Sequence, residues 1–384
     1  LGVNFNCTFN SKTQIILNIR DNNFLILSSF IVLLLLGTVM VLSASMSEGV
    51  EMRNDPFFFA YRQMIFIALG LFAFGVLLIV PSDFLNQMDV YLLVVGFILL
   101  LALFFPGIGY EAKGSLRWID LGPIKIQPSE VAKLCLLVYI AGYSVRRLDE
   151  MSSTIGFLRP LVILSGFSLL IMVQPDYGTT AVICLMVMAM LFFAGISFSH
   201  FMLLIGLFII LGVIAVYAEP YRMLRLLSFM DPFDDVLGSD WQLYQSLVSF
   251  GQGGWFGLGL GNSIQKNFFL PEAHTDFIFA ILAEELGLVG ALLLLLTYIV
   301  LLVGIFRVSL ESFKKMRPFQ GYLTFGIGFL IGLQVILNLA VNLGLLPTKG
   351  LTLPFISYGG TSILIMISLV GLVVRINNEN KLFN

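Results

Sequence analysis

A few ionisable residues of this chain stand directly beside apolar runs, where burying a charge is costly. Asp276 ends a long polar segment and precedes the apolar run 277–282, and Glu284 and Glu285 follow in the same predicted helix. Ionisable groups at membrane depth are functional hypotheses by default. We therefore interpret these carboxylates, together with facing Lys or Arg side chains, as a cluster capable of acid/base chemistry.

A simpler explanation exists for Asp276. A carboxylate near a helix N-terminus is stabilised by the helix dipole, with no role in chemistry. The position of Asp276 alone leaves both interpretations open.

Three polar segments hold the other candidate residues, at 107–130, 219–276 and 344–354. They contain Lys113, Arg117, Trp118 and Glu130 in the first, Glu272 and His274 in the second, and Lys349 in the third. The glycine run 251–261 does not follow a strand of a βαβ unit, so we do not interpret it as a dinucleotide site. Tight backbone turning is the better interpretation.

The composition excludes a water-soluble globular protein. Of 384 residues, 58% are hydrophobic and 11% are charged, whereas soluble domains carry about 25% charged residues. The 21 Lys and Arg against 23 Asp and Glu give a net charge of −2, so no overall basic field indicates nucleic acid. The three cysteines are far apart and the histidines number two, which predicts neither a disulfide framework nor a structural zinc site.

The apolar runs have the length of membrane-crossing helices, roughly 17 to 25 residues. They predict an all-α, polytopic membrane bundle of about ten transmembrane helices. The expected spans lie near 24–42, 64–80, 90–105, 131–145, 160–173, 179–198, 201–218, 277–306, 322–343 and 355–374. We expect a cytoplasmic N-terminal tail over 1–23, the membrane domain over 24–376 with a large extracytoplasmic loop over 219–276, and a cytoplasmic C-terminal tail over 377–384.

The distribution of Lys and Arg predicts the orientation, because short positively charged loops stay in the cytoplasm. Cytoplasmic termini place eleven of the 21 cations inside: Lys12, Arg20, Arg146, Arg147, Arg159, Arg307, Lys314, Lys315, Arg317, Arg375 and Lys381. Lys113, Arg117 and Lys349 then lie in short outer loops, against the usual bias. An anionic ligand on the outer face would explain them.

Two further polar groups have structural explanations. Gln174, Pro175 and Asp176 join two spans and are most simply a tight turn, since Pro is a turn former. In the ninth span Gln334, Asn338 and Asn342 recur every four residues and share one helix face. We expect interhelical hydrogen bonds from that face, with a polar cavity wall as the second interpretation.

The motifs together resemble the SEDS family (shape, elongation, division and sporulation) from about residue 25 to 376. They are the runs 113–119, 127–130, 174–176, 270–276 and 346–360. Runs 271–276 and 347–352 are more similar to the cell-division branch than to the elongation branch. Small departures occur at Ser115 and Leu116, at Tyr177 and at Thr361, and none removes an ionisable group.

The resemblance implies a peptidoglycan glycosyltransferase with ten spans. Such an enzyme polymerises lipid II on the outer face of the plasma membrane, at the division septum, beside a class B penicillin-binding transpeptidase and other divisome membrane proteins. It implies Asp276 as the essential acidic residue, and a substrate groove that includes Lys113, Arg117, Trp118 and Lys349. We also expect Glu130, Glu272, His274 and Glu285 among the substrate-binding residues.

We expect no tightly bound cofactor. A divalent cation, Mg²⁺ or Mn²⁺, that bridges Asp276 and the pyrophosphate is compatible with the sequence, because Mg²⁺ commonly binds through one or two carboxylates plus substrate phosphates.

Two other functions stay open at this point. A lipid II flippase would need charged groups along a path to the cytoplasmic side, and the apolar runs 286–306 and 355–374 offer none. A divisome scaffold without activity would fit the fold but would leave the outer charged residues without a role. The host membrane, bacterial or that of a plastid, also stays open.

The charge distribution predicts that both termini are cytoplasmic. A reporter that is active only outside the cytoplasm should be silent when fused after Asn384 and active when inserted in the 219–276 segment. An active reporter after Asn384 would overturn the orientation and relocate every predicted site residue.

Overall fold

The computed structural model describes residues 22–382, apart from 113–114, 121, 123–124, 218–222, 224–228, 230–232, 234, 236–237, 239 and 349. Over this part of the chain it is a helical bundle with one small sheet. The helices are α1 (Asn22–Arg53), α2 (Phe58–Ile79), α3 (Ser82–Ala102), α4 (Pro128–Arg146), α5 (Thr154–Val173), α6 (Tyr177–Phe193), α7 (Phe198–Tyr217), α8 (Trp241–Gly253), α9 (Ile278–Lys314), α10 (Pro318–Asn342) and α11 (Gly360–Leu382).

Each predicted span overlaps one of these helices, and α8 lies in the predicted large loop. Seven described helices (α1, α2, α3, α5, α9, α10 and α11) are long and apolar enough to cross a membrane, and α6 and α7 are shorter apolar helices. The remaining helix at a predicted span, α4, carries Glu130 and Lys133. The predicted polytopic helical membrane fold is confirmed.

The centre of the bundle is formed by α4, α10 and α11. Nearly every residue of α4 is buried, and 89% of the apolar window of α11 is buried, against 17% in α2 and in α3. Helices that are apolar on all sides and buried belong to the interior, whereas α2 and α3 expose apolar side chains as lipid-facing helices do. The last helix continues to Leu382, through the residues predicted as a tail.

A three-stranded antiparallel sheet follows α3, a feature that the sequence analysis did not predict. Its strands are β1 (Gly109–Ala112), β2 (Ser115–Asp120) and β3 (Lys125–Ile126), in the order β1-β2-β3. A β-bulge lies between Tyr110 and Glu111, and Tyr110 pairs with Trp118. The strands are too short for hydrophobic alternation to reveal them.

Helix α9 is interrupted at Gly287, where φ is 69° and ψ is −170°. A segment of the preceding loop pairs with the backbone groups that the interruption frees. The amide of Leu258 donates to Glu284 O (2.9 Å), and the amide of Leu288 donates to Gly254 O (2.9 Å). Non-helical backbone at membrane depth requires such partners, so the loop and the broken helix form one unit.

Both ends of the described chain lie on one face of the bundle, which we call the terminal face. Asn377 donates to Asn23 Oδ1 (2.7 Å), and Asn22 donates to Glu311 Oε2 (3.2 Å) beside the α9–α10 turn. This arrangement agrees with an even number of spans. The opposite face, where α9 begins and α10 ends, is called the site face below.

A buried ion pair joins the elements of the terminal face. Arg317 Nη2 lies 2.6 Å from Glu379 Oε2, with side chains 9% and 8% exposed, and Ser82 donates its amide to the same carboxylate (2.9 Å). The pair connects the α9–α10 turn, α11 and the start of α3.

Replacing Glu379 with Ala should destabilise the protein strongly, by about 3–5 kcal/mol, because the buried Arg317 would lose the carboxylate that lies 2.6 Å away, while that of Asp83 lies farther away at 3.9 Å. The matched control is Glu150→Ala, whose partners Arg147 and Arg159 are 47% and 46% exposed, and it should cost less than about 1 kcal/mol. Thermal unfolding in one detergent measures both. Equal shifts in the two variants would contradict the assigned role of the buried pair.

Candidate active site

Asp276 is held on the site face through its backbone carbonyl. Asn338 Nδ2 and Asn342 Nδ2, in the last two turns of α10, donate to Asp276 O at 2.9 and 3.0 Å. Asn342 Oδ1 also accepts from the amide of Ala280 (3.2 Å). The predicted hydrogen-bonding face of α10 is therefore confirmed for Asn338 and Asn342, which fix the residue that carries the candidate catalytic carboxylate. Gln334 Oε1, on the same face, is buried without a hydrogen-bond partner among the described residues.

The two residues before Asp276 are attached to the loop 350–359. The hydroxyl of Ser357 donates to Thr275 O (2.6 Å), and the amide of Tyr358 donates to His274 O (2.9 Å). The carbonyls of three consecutive residues thus have partners outside their own segment. This backbone attachment fixes the segment that carries the Asp276 side chain.

The Asp276 carboxylate lies against Gly350. A Cβ placed on Gly350 would be 3.4 Å from Asp276 Oδ2. Asn338 Nδ2 also donates to the carbonyl of the next residue, Leu351 (2.6 Å). The structure therefore brings the 270–276 and 346–360 motifs into contact, while Lys349 and Lys113 themselves lie outside the described residues.

The same loop lies against the start of α6, directly after the turn 174–176. A Cβ on Gly178 would be 3.3 Å from Leu351 Cδ2. Asp176 caps α6 by accepting from Thr179 N (3.1 Å) and Thr179 Oγ1 (2.8 Å). The predicted tight turn is confirmed, and it stands between the Asp276 side of the site and the sheet.

Arg117, in β2, bonds to this turn. Its Nε donates to Gln174 O (3.1 Å) and its Nη2 to Pro175 O (2.5 Å). These described contacts use two of the five guanidinium donors. Trp118 follows in the same strand and is half-buried.

Glu130 begins α4 and pairs with Lys133 one turn later. Lys133 Nζ lies 2.7 Å from Glu130 Oε1, and the two side chains are 2% and 8% exposed. The second oxygen, Oε2, is buried without a hydrogen-bond partner. The described contacts of Glu130 are within its own helix, and its role as a substrate contact stays a prediction.

Glu285 lies beside the interruption of α9, in a different set of contacts from Asp276. It is fully buried and accepts from Lys266 Nζ (2.8 Å) and from Ser43 Oγ (2.6 Å) of α1. The neighbouring Glu284 accepts from the amide of Ile264 (2.8 Å). The described contacts of both carboxylates hold the 258–266 loop to α9 and α1, and substrate binding by Glu285 stays a prediction.

His274 is enclosed by aromatic rings. Its ring centroid is 4.6 Å from that of Phe59 and 5.5 Å from that of Tyr358. Its Nδ1 lies 2.9 Å from Glu48 Oε2 of α1, although the geometry is not that of a hydrogen bond. The sequence analysis missed Glu48, because nothing local in the chain indicates a partner so far away.

Glu272 lies in the turn before His274, with a positive φ of 57°. Its Oε2 accepts from Thr275 Oγ1 (2.8 Å). This contact organises the turn that leads to Asp276. A role for Glu272 in binding substrate stays a prediction.

The described residues contain no group of three or more His, Cys, Asp and Glu side chains that could hold a metal ion. A cation at Asp276 would therefore need ligands from the substrate, as Mg²⁺ bound to phosphates has.

Lys266, which pairs with Glu285, was also not predicted from the sequence as the partner of that carboxylate. One sequence signal could have indicated this ion pair: a glycine-rich loop is followed by Glu284, Glu285 and then Gly287.

Comparisons with known proteins agree on the family to which this chain is similar. A family model described as "Cell cycle protein", which combines FtsW, RodA and SpoVE, matches residues 23–382. A protein of Francisella salina named probable peptidoglycan glycosyltransferase FtsW is 44% identical over 351 residues, which are 91% of this chain and 87% of that protein. A protein of Saccharophagus degradans with the same name is 44% identical and covers 94% and 93% of the two chains.

Solved structures show the same architecture. One is described as "Structural coordination of polymerization and crosslinking by a peptidoglycan synthase complex"; a chain in it has a TM-score of 0.72 and 28% identity, and covers 92% of this chain and 97% of its own. The rod shape determining protein RodA of Thermus thermophilus has a TM-score of 0.68 and 28% identity, and covers 94% and 98%.

Replacing Asn338 with Leu should disorder the Asp276 segment, because the buried Leu351 carbonyl would lose its described donor, at a cost of about 1–3 kcal/mol, and the Asp276 carbonyl would lose one of its two described donors. Amide hydrogen exchange over 274–277 should accelerate. The matched control is Gln334→Leu, one turn earlier on the same face, which removes a buried Oε1 that has no partner. If exchange in this segment were the same in both variants, Asn338 would not position Asp276.

Proposed function

The chain belongs to the cell cycle protein family of FtsW, RodA and SpoVE, and we propose that it is a peptidoglycan glycosyltransferase that polymerises lipid II on the outer face of the membrane. One observation carries the proposal: the Asp276 carboxylate lies against Gly350, in the motif that contains Lys349. This contact supports a catalytic carboxylate beside an anion-binding segment.

The reaction joins two lipid-linked saccharides. A hydroxyl oxygen of the acceptor attacks the anomeric carbon of the donor, the bond from that carbon to the pyrophosphate oxygen breaks, and the polyprenyl pyrophosphate leaves with the bonding electrons. Asp276 accepts the proton of the attacking hydroxyl. By analogy with inverting glycosidases, one base on the acceptor side suffices and no covalent intermediate forms.

The leaving pyrophosphate requires positive charge. Arg117 offers a fork of donors suited to phosphate oxygens, and Lys113 and Lys349 offer point charges. The contacts of Arg117 with the turn 174–175, and of that turn's helix with Leu351, connect the sheet to the Asp276 side. This connection supports a single groove for the cations and the carboxylate.

A divalent cation would strengthen the same arrangement. Asp276 is the described residue that would hold it, together with phosphate oxygens of the substrate. Bound there, the cation would act as a Lewis acid and stabilise the negative charge on the leaving group.

The cell-division names of the relatives support a role in septal wall synthesis. The structural neighbour from a complex that coordinates polymerisation with crosslinking supports a class B transpeptidase as partner. Purified protein with this transpeptidase and lipid II should yield glycan strands. A flippase would instead move lipid II across vesicles without polymerising it, and a scaffold would do neither.

Replacing Asp276 with Asn should lower the polymerisation rate by about 10²- to 10⁴-fold, the usual loss when a general base is removed. Folding should be unaffected, because the described contacts of Asp276 with α10 use its backbone carbonyl. The control is Asp55→Asn, since the described contact of the Asp55 side chain is with the amide of Phe57 in a loop (2.9 Å). Phe277, not Asp276, occupies the N-cap of α9. A parental rate would remove Asp276 from the mechanism and redirect attention to Glu272 or Glu285.

Replacing Lys113, Arg117 and Lys349 one at a time with Gln should weaken lipid II binding, because each loses a positive charge near the pyrophosphate. The control cation is Lys125, which lies 3.6 Å from Asp120 in the same sheet, and Lys125→Gln should bind as the parent does. Unchanged affinity in all three test variants would favour snorkelling of these side chains to lipid headgroups as their explanation.

A further inference from the structure

The segment 254–270 exposes an unusual amount of apolar surface. Trp255 and Phe256 are 68% and 81% exposed. Further exposed hydrophobic side chains of the segment are Leu258, Leu260, Ile264, Phe268 and Phe269. Its single charged residue, Lys266, is buried against Glu285, so no charge interrupts this surface.

The structure indicates the depth of Trp255 and Phe256 in the membrane. The uncharged run 286–306 lies between Glu285 and Arg307. The 19 helical residues that follow the interruption, 288–306, span about 29 Å, which matches a hydrocarbon core of about 30 Å. One boundary of that core therefore falls at the interruption of α9. The amide of Val289 donates to Trp255 O (3.1 Å), which holds Trp255 at this level.

The exposed surface also continues a lipid-facing one. On the C-terminal side of the interruption, α9 carries five apolar residues that are 44% to 59% exposed: Leu288, Leu292, Leu293, Leu296 and Ile299. Side chains exposed within a membrane-spanning segment face lipid. Because Trp255 is bonded directly to this part of α9, its surface and that of Phe256 extend the lipid-facing surface to the edge of the hydrocarbon core.

We propose that Trp255 and Phe256 form an interfacial anchor that inserts between phospholipids of the leaflet on the site face. Trp is enriched at the membrane–water interface because its ring is apolar and its N–H reaches the polar region. Exposure of the same surface to water would leave two large aromatic side chains unburied. A protein partner is the competing occupant, but the continuity with the lipid-facing residues of α9 favours lipid.

The anchor would fix the height of the segment that leads to Asp276. The interruption of α9 and the last two turns of α10 that hold Asp276 both lie on the site face, so the carboxylate stays near the headgroups. A lipid-linked pyrophosphate lies at that level. This consequence rests on the proposed function, whereas the anchor itself does not.

Tryptophan quenching in proteoliposomes tests the anchor. The emission of the parent minus that of Trp255→Phe isolates Trp255 and leaves Trp118 and Trp241 in place. We expect this difference signal to be quenched at least about twofold more by lipids with a nitroxide near the headgroup end of the acyl chain than by lipids with one near the terminal methyl or by aqueous iodide, as an interfacial ring requires.

A second variant guards against an effect of the substitution itself. Phe256→Trp in the Trp255→Phe background should show the same preference for the shallow nitroxide. Strong quenching by iodide with no response to either nitroxide would overturn the proposal in favour of a water-exposed loop. Nitroxide responses that vanish when purified class B transpeptidase is added would overturn it in favour of a protein-docking surface. Each result is independent of polymerisation, so loss of the proposed function would not imitate it.

Discussion

A membrane-spanning segment has no water for its backbone, so every N–H and C=O group that leaves a helix must find another partner within the protein. The architecture of the site face follows from this constraint. The interruption at Gly287 is tolerated because the loop 254–259 supplies and accepts the missing hydrogen bonds. Gly257 is required there, since a Cβ would lie 2.2 Å from Glu285 O. A broken helix thus becomes a rigid support rather than a weak point.

The same constraint explains how the candidate active site is held. The segment 274–276 precedes α9 and is not helical. Each of its carbonyls accepts from a side chain or amide of α10 or the loop 350–359. The described contacts of this backbone segment are therefore neutral hydrogen bonds, which fix the geometry of the residue that carries the candidate catalytic carboxylate.

Three buried ion pairs stabilise the packing of the bundle, and Arg117 belongs to none of them. Lys266 with Glu285, Lys133 with Glu130, and Arg317 with Glu379 are each buried with a partner of opposite sign, because an isolated buried charge would be very costly. Arg117 differs from these pairs. Its described partners are carbonyls, so its positive charge remains available to an anion, as a pyrophosphate-binding residue requires.

The sequence by itself determined the fold class, the positions of the spans and the segments that meet at the site, because membrane helices have a length and composition set by the bilayer. It also determined that Asn338 and Asn342 share a face, because the helical period is local. Only the tertiary structure decided what Glu284 and Glu285 contact, although both look like Asp276 in sequence. Glu285 accepts from Lys266 and Ser43, and Glu284 accepts from Ser263 and from the amide of Ile264. The sheet, the interruption at Gly287 and the contact of Glu48 with His274 were likewise decided in three dimensions, because each depends on residues far apart in the chain whose proximity no local pattern records.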